Sequence, residues 1–150
     1  MQLTEQQVLS KLAALCSRSE HCVKEMTDKM TKWGVDERTQ ASVIAYLVSE
    51  KYIDEERYAR FFIDDKVKGN KWGRRKVEQA LYFKGVPETI YRPILEELED
   101  SDYEHILRPL IEQKRKTVTG KTDYEIRCKL IRFGLSRGFS MEQVLSCLNE

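Results

Sequence analysis

Apolar residues recur along the chain at the three- and four-residue spacing of one helix face: Val8, Leu12 and Leu15 near the start, Val43, Ile44 and Leu47 further on, and Ile106, Leu107, Leu110 and Ile111 in the last third. No comparable stretch alternates apolar and polar positions as a strand would, so the pattern predicts an all-α protein. Start signals agree. Thr4 with Gln7, Ser101 with Glu104, Thr122 with Glu125 and Ser140 with Gln143 have capping-box spacing, in which two side chains satisfy the free amides of a helix start. Pro87 suits a first helical position, where a missing amide costs nothing. Gly34, Gly69, Gly85, Gly120 and Gly138 read as helix ends, because glycine takes the left-handed conformation freely. Pro93 and Pro109 fall inside predicted helices, where each removes a backbone hydrogen bond at a cost of about 3 kcal/mol. The expectation there is a kink, or a helix start moved to the proline.

Three of the glycine stops are related. Trp33-Gly34-Val35, Lys84-Gly85-Val86 and Arg137-Gly138-Phe139 share one shape, with the glycines 51 and 53 residues apart (34 to 85, 85 to 138). Eight residues before each glycine stand Met26, Val77 and Leu130. Nine and ten residues after it stand Val43 and Ile44, Ile94 and Leu95, Cys147 and Leu148. A self-similar period of this length marks a repeat protein. The expected architecture is three tandem three-helix repeats, at 1–52, 53–100 and 101–150, forming an elongated, curved array of nine helices. Units stacked in line contact mainly their neighbours and expose a long surface for their mass.

Composition narrows the function. Cys16, Cys22, Cys128 and Cys147 lack the spacing of a zinc site or a disulfide framework and read as reduced thiols of a cytoplasmic protein. No apolar run approaches the ~20 residues that cross a bilayer, and the first residues lack the basic and apolar regions of a signal peptide. The 26 Lys and Arg nearly balance the 25 Asp and Glu, but they are laid out in blocks. Lys66, Lys68, Lys71, Arg74, Arg75 and Lys76 form a basic stretch, Glu88 to Glu104 an acidic one, and the last third, from Arg108 through Arg137, is basic again. Such alternating blocks point to a partner-facing surface. Arg74 and Arg75 are placed at the first turn of a helix, where cations oppose the helix dipole, so a binding role explains them better than a structural one.

Chemistry that would make an enzyme is missing. There is no G-x-x-x-x-G-K or G-x-G-x-x-G motif beside the carboxylates, including Asp64 and Asp65. Cys16, His21 and Cys22 lack a nearby fourth ligand and common finger spacing. His105 reads as a helix residue, and Tyr46, Tyr58, Tyr82 and Tyr91, which could stack on bases, read at helical spacing as core.

The middle of the chain carries a more specific signal. Lys51-Tyr52-Ile53-Asp54-Glu55-Glu56-Arg57-Tyr58-Ala59-Arg60-Phe61-Phe62, then Gly73-Arg74-Arg75-Lys76-Val77, Leu81 and Lys84-Gly85-Val86, resembles the RecX family of recombination regulators in order and register. Locally, Asp54 reads as an N-cap flanked by Tyr52 and Ile53, and Tyr58, Ala59 and Phe62 as a buried stripe. The family usually has glycine where this chain has Lys51, which leaves the preceding helix end less sharply defined. The resemblance implies a cofactor-free monomer that binds the RecA filament on single-stranded DNA and inhibits its ATPase, recombinase and coprotease activities, with direct contact to the DNA also open. On that reading Lys66, Lys68, Lys71, Arg74, Arg75 and Lys84 of the second repeat meet the acidic filament surface or DNA phosphate. Lys114, Arg115, Lys116, Arg127 and Arg132 do so in the third. The alternative is a helix-turn-helix DNA binder acting without RecA, since the second and third helices of each repeat are joined by a short glycine turn.

Overall fold

Helix ends in this molecule are set by short-range capping, and the caps divide the chain into trios of helices. In the computed structural model, which describes residues 2–149, the elements are α1 (Glu5–Arg18), α2 (Val23–Lys32), α3 (Glu37–Ser49), α4 (Glu55–Asp64) running into a π-helical turn (Asp65–Gly69), α5 (Arg74–Phe83), α6 (Glu88–Leu95), α7 (Asp100–Thr117), α8 (Asp123–Ser136) and α9 (Met141–Leu148). Among the described residues there is no strand. Thr4 with Gln7 and Ser140 with Gln143 form full capping boxes, and the Asp54 carboxylate accepts from the Arg57 amide at 3.0 Å.

Five local expectations are corrected. α7 starts two residues early, because Glu99 and Asp102 form the box in place of Ser101 and Glu104, with the Asp102 carboxylate accepting the Glu99 amide at 2.8 Å. Thr122 caps α8, but the Glu125 carboxylate turns instead to the Lys121 amide at 2.8 Å. Pro87 is the N-cap of α6 and not its first helical residue, and Gly120 lies in the α7–α8 loop, since α7 already ends at Thr117. α7 runs unbroken through Pro109. The proline and His105, whose carbonyl loses its partner, are both exposed, so water can serve that carbonyl while buried Leu107 and Ile111 hold the other face.

The repeated glycines act as expected. Gly34, Gly85 and Gly138 have φ of 78°, 73° and 97°. Each closes its helix with the same pair of backbone bonds: Val35 N to Met30 O and Gly34 N to Thr31 O, Val86 N to Leu81 O and Gly85 N to Tyr82 O, Phe139 N to Gly134 O and Gly138 N to Leu135 O. Lys51 makes a fourth such closure, with φ of 61°, Tyr52 N to Leu47 O at 2.8 Å and Lys51 N to Val48 O at 3.1 Å. The end of α3 is therefore as sharply defined as the others, and a side-chain-bearing residue there carries a strain of about 1–2 kcal/mol.

Each trio packs around an apolar centre, but the centres are not equivalent. Val8 and Leu12 of α1, Met26 and Met30 of α2, Val43 and Leu47 of α3, and Ile53 form one buried cluster. The second and third trios share a larger one, in which Val77, Leu81 and Leu95 join Leu107, Leu130, Phe139 and Val144. The accessible surface, 9771 Å², exceeds the roughly 8,000 Å² of a compact monomer of this mass, as an in-line stack requires.

One kind of contact recurs between the trios. The N-cap of a second helix abuts the C-cap carbonyl of the second helix in the next trio. Gly73 N donates to Arg137 O at 2.7 Å and Arg75 N to Gly138 O at 3.1 Å. Cys22, which like Gly73 stands twelve residues before its trio's stop glycine, donates its Sγ hydrogen to Lys84 O at 3.6 Å. A Cβ on Gly73 would lie 2.3 Å from the carbonyl carbon of Gly138. Helices α8, α5 and α2 thus follow one another with the negative end of one facing the positive end of the next. Gly73→Ala is expected to lower stability by about 2–4 kcal/mol, through overpacking and two lost backbone bonds. Lys51→Gly is expected to raise it by about 0.5–1 kcal/mol, the relieved strain less the entropy glycine adds to the unfolded chain. Urea-unfolding midpoints of the two variants check both signs.

Candidate partner-binding surface

The cations are distributed by helix order within the trio. Second helices carry three each: Lys24, Lys29 and Lys32 on α2, Arg74, Arg75 and Lys76 on α5, Arg127, Lys129 and Arg132 on α8. Third helices carry few. α3 has Arg38, α6 has Arg92, which pairs with Glu88, and α9 has none. Glu37, Glu88 and Glu142 stand in the first turns of α3, α6 and α9, where they suit their own helix amides and would repel phosphate. The second helices can show charge because each buries a single stripe: Met26 and Met30, Val77 and Leu81, Leu130 and Gly134.

The sequence-derived residues separate into three groups. Lys114 and Arg132, with Lys129, line an open cleft of about 460 Å³ between the end of α7 and the exposed side of α8. Its other lining residues are Val118, Phe133 and Ser136, with no carboxylate. Lys114 Nζ lies 5.4 Å and the Arg137 guanidinium 5.9 Å from the Phe133 ring centre, so the ring helps to hold the cations in place. Arg115 and Arg127 belong to a separate cleft with Asp123, Ile126 and Leu148, and Arg127 also reaches Asn149 Oδ1 at 3.4 Å. Lys116 is exposed in the last turn of α7.

In the second trio several of the predicted cations serve the fold. Lys66 sits over the rings of Phe62 and Trp72 at 5.4 and 5.3 Å, and Lys76 covers Trp72 at 4.7 Å. Lys68 pairs with Asp64, Arg74 with Glu78, and Lys84 with Glu25 across the junction between the first and second trios. Arg75 points outward while its amide is taken by Gly138 O, and Lys71 is an exposed residue at φ 59°. The opposition of Arg74 and Arg75 to their helix dipole is offset by the carbonyls of Arg137 and Gly138 at that helix start. Lys129 and Arg137 were visible in the basic block but had no sequence signal to single them out. Arg137 donates to Asn70 O at 2.6 Å and Lys71 O at 3.3 Å, so it fastens the third trio to the second as Lys84 fastens the second to the first.

That first junction is polar. Glu55 Oε1 accepts the Val23 amide at 3.0 Å, Arg57 Nε meets Glu20 Oε2 at 2.6 Å, and Lys84 Nζ meets Glu25 Oε2 at 3.0 Å. Burial acts to raise the Glu25 pKa, but the Lys84 ammonium, the Cys22 amide and His21 outweigh it and hold the carboxyl below its ordinary value of 4.5. For Glu55 burial prevails over the Val23 amide and pushes the carboxyl up. Cys22 is held above the usual thiol value by burial, and it is committed to the Lys84 carbonyl. His21 lies between Ser19 and Glu25, and Cys16 Sγ sits 3.9 Å from Met26 Sδ. No group of three or more His, Cys, Asp or Glu that could hold a metal ion occurs among the described residues.

A stack of three-helix units whose cation-bearing second helices run end to end is a helical-repeat architecture, and comparison with known proteins makes it specific. Residues 54–92 match the family model for the second three-helix domain of RecX and residues 102–148 that for the third. The regulatory protein RecX of Vibrio parahaemolyticus is 31% identical over 143 residues, covering 93% of this chain and 90% of that protein. That of Clostridium perfringens is 32% identical over 121 residues, and this chain spans only 56% of its length. A RecX crystal structure superposes with a TM-score of 0.90 at 15% identity, covering 97% of this chain and 73% of that one. RecX from Lactobacillus salivarius gives 0.85 at 17% identity, covering 96% and 94%. The chain belongs to the RecX family of regulatory proteins.

The two junction carboxyls make opposite contributions to acid stability. Glu25, depressed, contributes stability that is full above 4.5 and is lost as pH falls through its lower folded value, whereas Glu55, raised, favours the fold as it takes up a proton at higher pH. Glu25→Gln is expected to flatten the fall of Tm below pH 4.5 and to lower Tm slightly at neutral pH, since a half-exposed ion pair is worth about 0.2–1 kcal/mol. Thermal unfolding followed between pH 3 and 8 checks this.

Proposed function

We propose that this chain is a cytosolic, monomeric regulator that binds the filament formed by RecA on single-stranded DNA and restrains its ATPase, recombinase and coprotease activities. The proposal keeps the repeats at residues 1–52, 53–100 and 101–150 as the contacting units. Family membership supports a regulatory role. The observation that supports the filament reading is the head-to-tail run of α8, α5 and α2, which places the cation-bearing second helices of three repeats end to end. A long row of cation-bearing helices suits a partner that is itself long and repetitive, where weak contacts add through effective concentration. Arg75, Lys129 and Arg132 on that row and Lys114 of α7 beside it are the proposed contacts, with Lys71, Arg115, Lys116 and Arg127 close by. Lys66, Lys68, Arg74 and Lys84 act first on the fold.

The helix-turn-helix alternative is disfavoured by the same distribution of charge. A recognition helix in each trio would be α3, α6 or α9, and these begin with glutamates and carry almost no cations. A direct duplex binder would also show affinity for naked DNA falling with salt at a log slope near 0.9 for each phosphate neutralised.

The decisive measurement is single-strand-dependent ATP hydrolysis by the cognate RecA. Added wild-type protein is expected to slow it, and the triple variant Arg75→Glu, Lys129→Glu, Arg132→Glu to do so at least about tenfold less effectively, about 1.4 kcal/mol of lost binding. No change in hydrolysis and no binding to the filament at several-fold excess of wild type would overturn the reading.

A further inference from the structure

Tyr82 and Phe83 stand at the end of α5 with 71% and 73% of their surface exposed. Their rings touch edge to face, with centres 5.7 Å apart and planes at 75°. The sequence pattern assigned Tyr82 to the core with Tyr46, Tyr58 and Tyr91. Tyr58 and Tyr91 are buried, at 4% and 6% exposed, but Tyr82 is not, nor is Tyr46, at 45%. A single exposed aromatic is unremarkable, but two adjacent rings on the cationic edge of a repeat stack ask for an occupant.

Their neighbours identify its chemistry. Arg75, Gln79 and Tyr82 are spaced i, i+4, i+7 and share one exposed face of α5, about 10 Å from first to last. Beyond the far end of the helix, Lys24 of the first trio packs beside Gly85, where a Cβ would lie 3.7 Å from its side chain. The order along the edge is therefore Lys24, then the ring pair, then Arg75. Arg74 and Glu78, on the flank of the same helix, pair at 2.9 Å, and Lys24 pairs with Asp28 at 3.0 Å, a more exposed i, i+4 pair that a phosphate can displace. An acidic protein surface would satisfy the two cations but would leave two aromatic faces without a planar partner. A single strand of nucleic acid satisfies both, since its phosphates suit the cations, its bases present flat faces without regard to sequence, and about three stacked nucleotides span 10 Å.

We propose that Tyr82 and Phe83 form a base-stacking platform for single-stranded nucleic acid, with Lys24 and Arg75 holding the backbone on either side. This rests on the filament-binding reading, to which it adds a direct contact between the repeat stack and the strand.

The test is fluorescence anisotropy with a labelled oligothymidylate, its abasic counterpart and a duplex of the same length, across a salt series. Tyr82→Ala with Phe83→Ala is expected to weaken oligothymidylate binding about 10- to 100-fold. The salt slope should stay unchanged, and the abasic strand should show no difference between the proteins. Arg75→Glu is expected to lower the slope by about 0.7, as one phosphate contact is lost. Tyr82→Trp with Phe83→Trp should keep the affinity, which separates stacking from any effect on folding, as should circular dichroism of each variant. If the double alanine variant binds oligothymidylate like wild type, or if wild type binds no oligothymidylate, the platform is overturned. A variant that loses the RecA filament but keeps oligothymidylate overturns it too, because the rings would then be a protein contact. In each of these cases filament binding by wild type leaves the regulatory reading standing.

Discussion

The closest approach of backbone to backbone between repeats, at Gly73 and Gly138, is the constraint from which the rest of the molecule follows. A side chain on Gly73 would drive into the Gly138 carbonyl, so only two glycines let the start of α5 reach the end of α8. Once they meet, the carbonyls of Arg137 and Gly138 take amides that a capping side chain would otherwise have to satisfy, which is why the N-cap of α5 is a residue with no side chain at all. The same approach sets the direction of the stack. It places α8 and α5 end to end, and the Cys22 contact adds α2 to the row, with the cations, clefts and exposed rings that these helices carry.

The two junctions solve the same problem with different materials. Between the second and third trios the glycine contact lies over a common apolar cluster, and the Arg137 guanidinium ties the loop at Asn70 and Lys71. Between the first and second, Cys22 takes the place of Gly73, and Glu25, Glu55 and Arg57 supply much of the remaining adhesion. Apolar adhesion is insensitive to salt and pH, whereas partly exposed ion pairs are screened by one and titrated by the other. The first trio is thus the more conditional member of the stack.

Much of this was legible in the sequence because it depends on short-range rules. A glycine that must be left-handed, a carboxylate three residues before a helix amide and a stripe at helical spacing are local, and Gly34, Gly85, Gly138, Asp54 and Met26 all behaved as their neighbours dictated. The resemblance to RecX named Lys51 as the odd residue, and its left-handed backbone shows why glycine would fit there. What could not be read is what depends on partners far along the chain. Lys84 meets a carboxylate 59 residues away, and Arg137 meets carbonyls 66 and 67 residues away. Arg74 spends its charge on Glu78, a pairing that helical spacing allows but does not compel. The run Ala80-Leu81-Tyr82-Phe83 is apolar all round one helical turn, so periodicity had no means of choosing which of its members faced solvent.

The separation into two apolar clusters also governs how the chain comes to be folded. The first cluster is complete once residues up to Ile53 are present, and every contact in it lies within that segment, a shorter span that closes sooner. During synthesis at about 5–20 residues per second, the first trio can condense while α5 is still being made. The second trio has no such freedom, because its apolar face is finished only by Leu107, Leu130, Phe139 and Val144. For the few seconds needed to extend the chain from α6 to α9 that face stays open, and the protein is most exposed to mispairing at its middle and not at its ends.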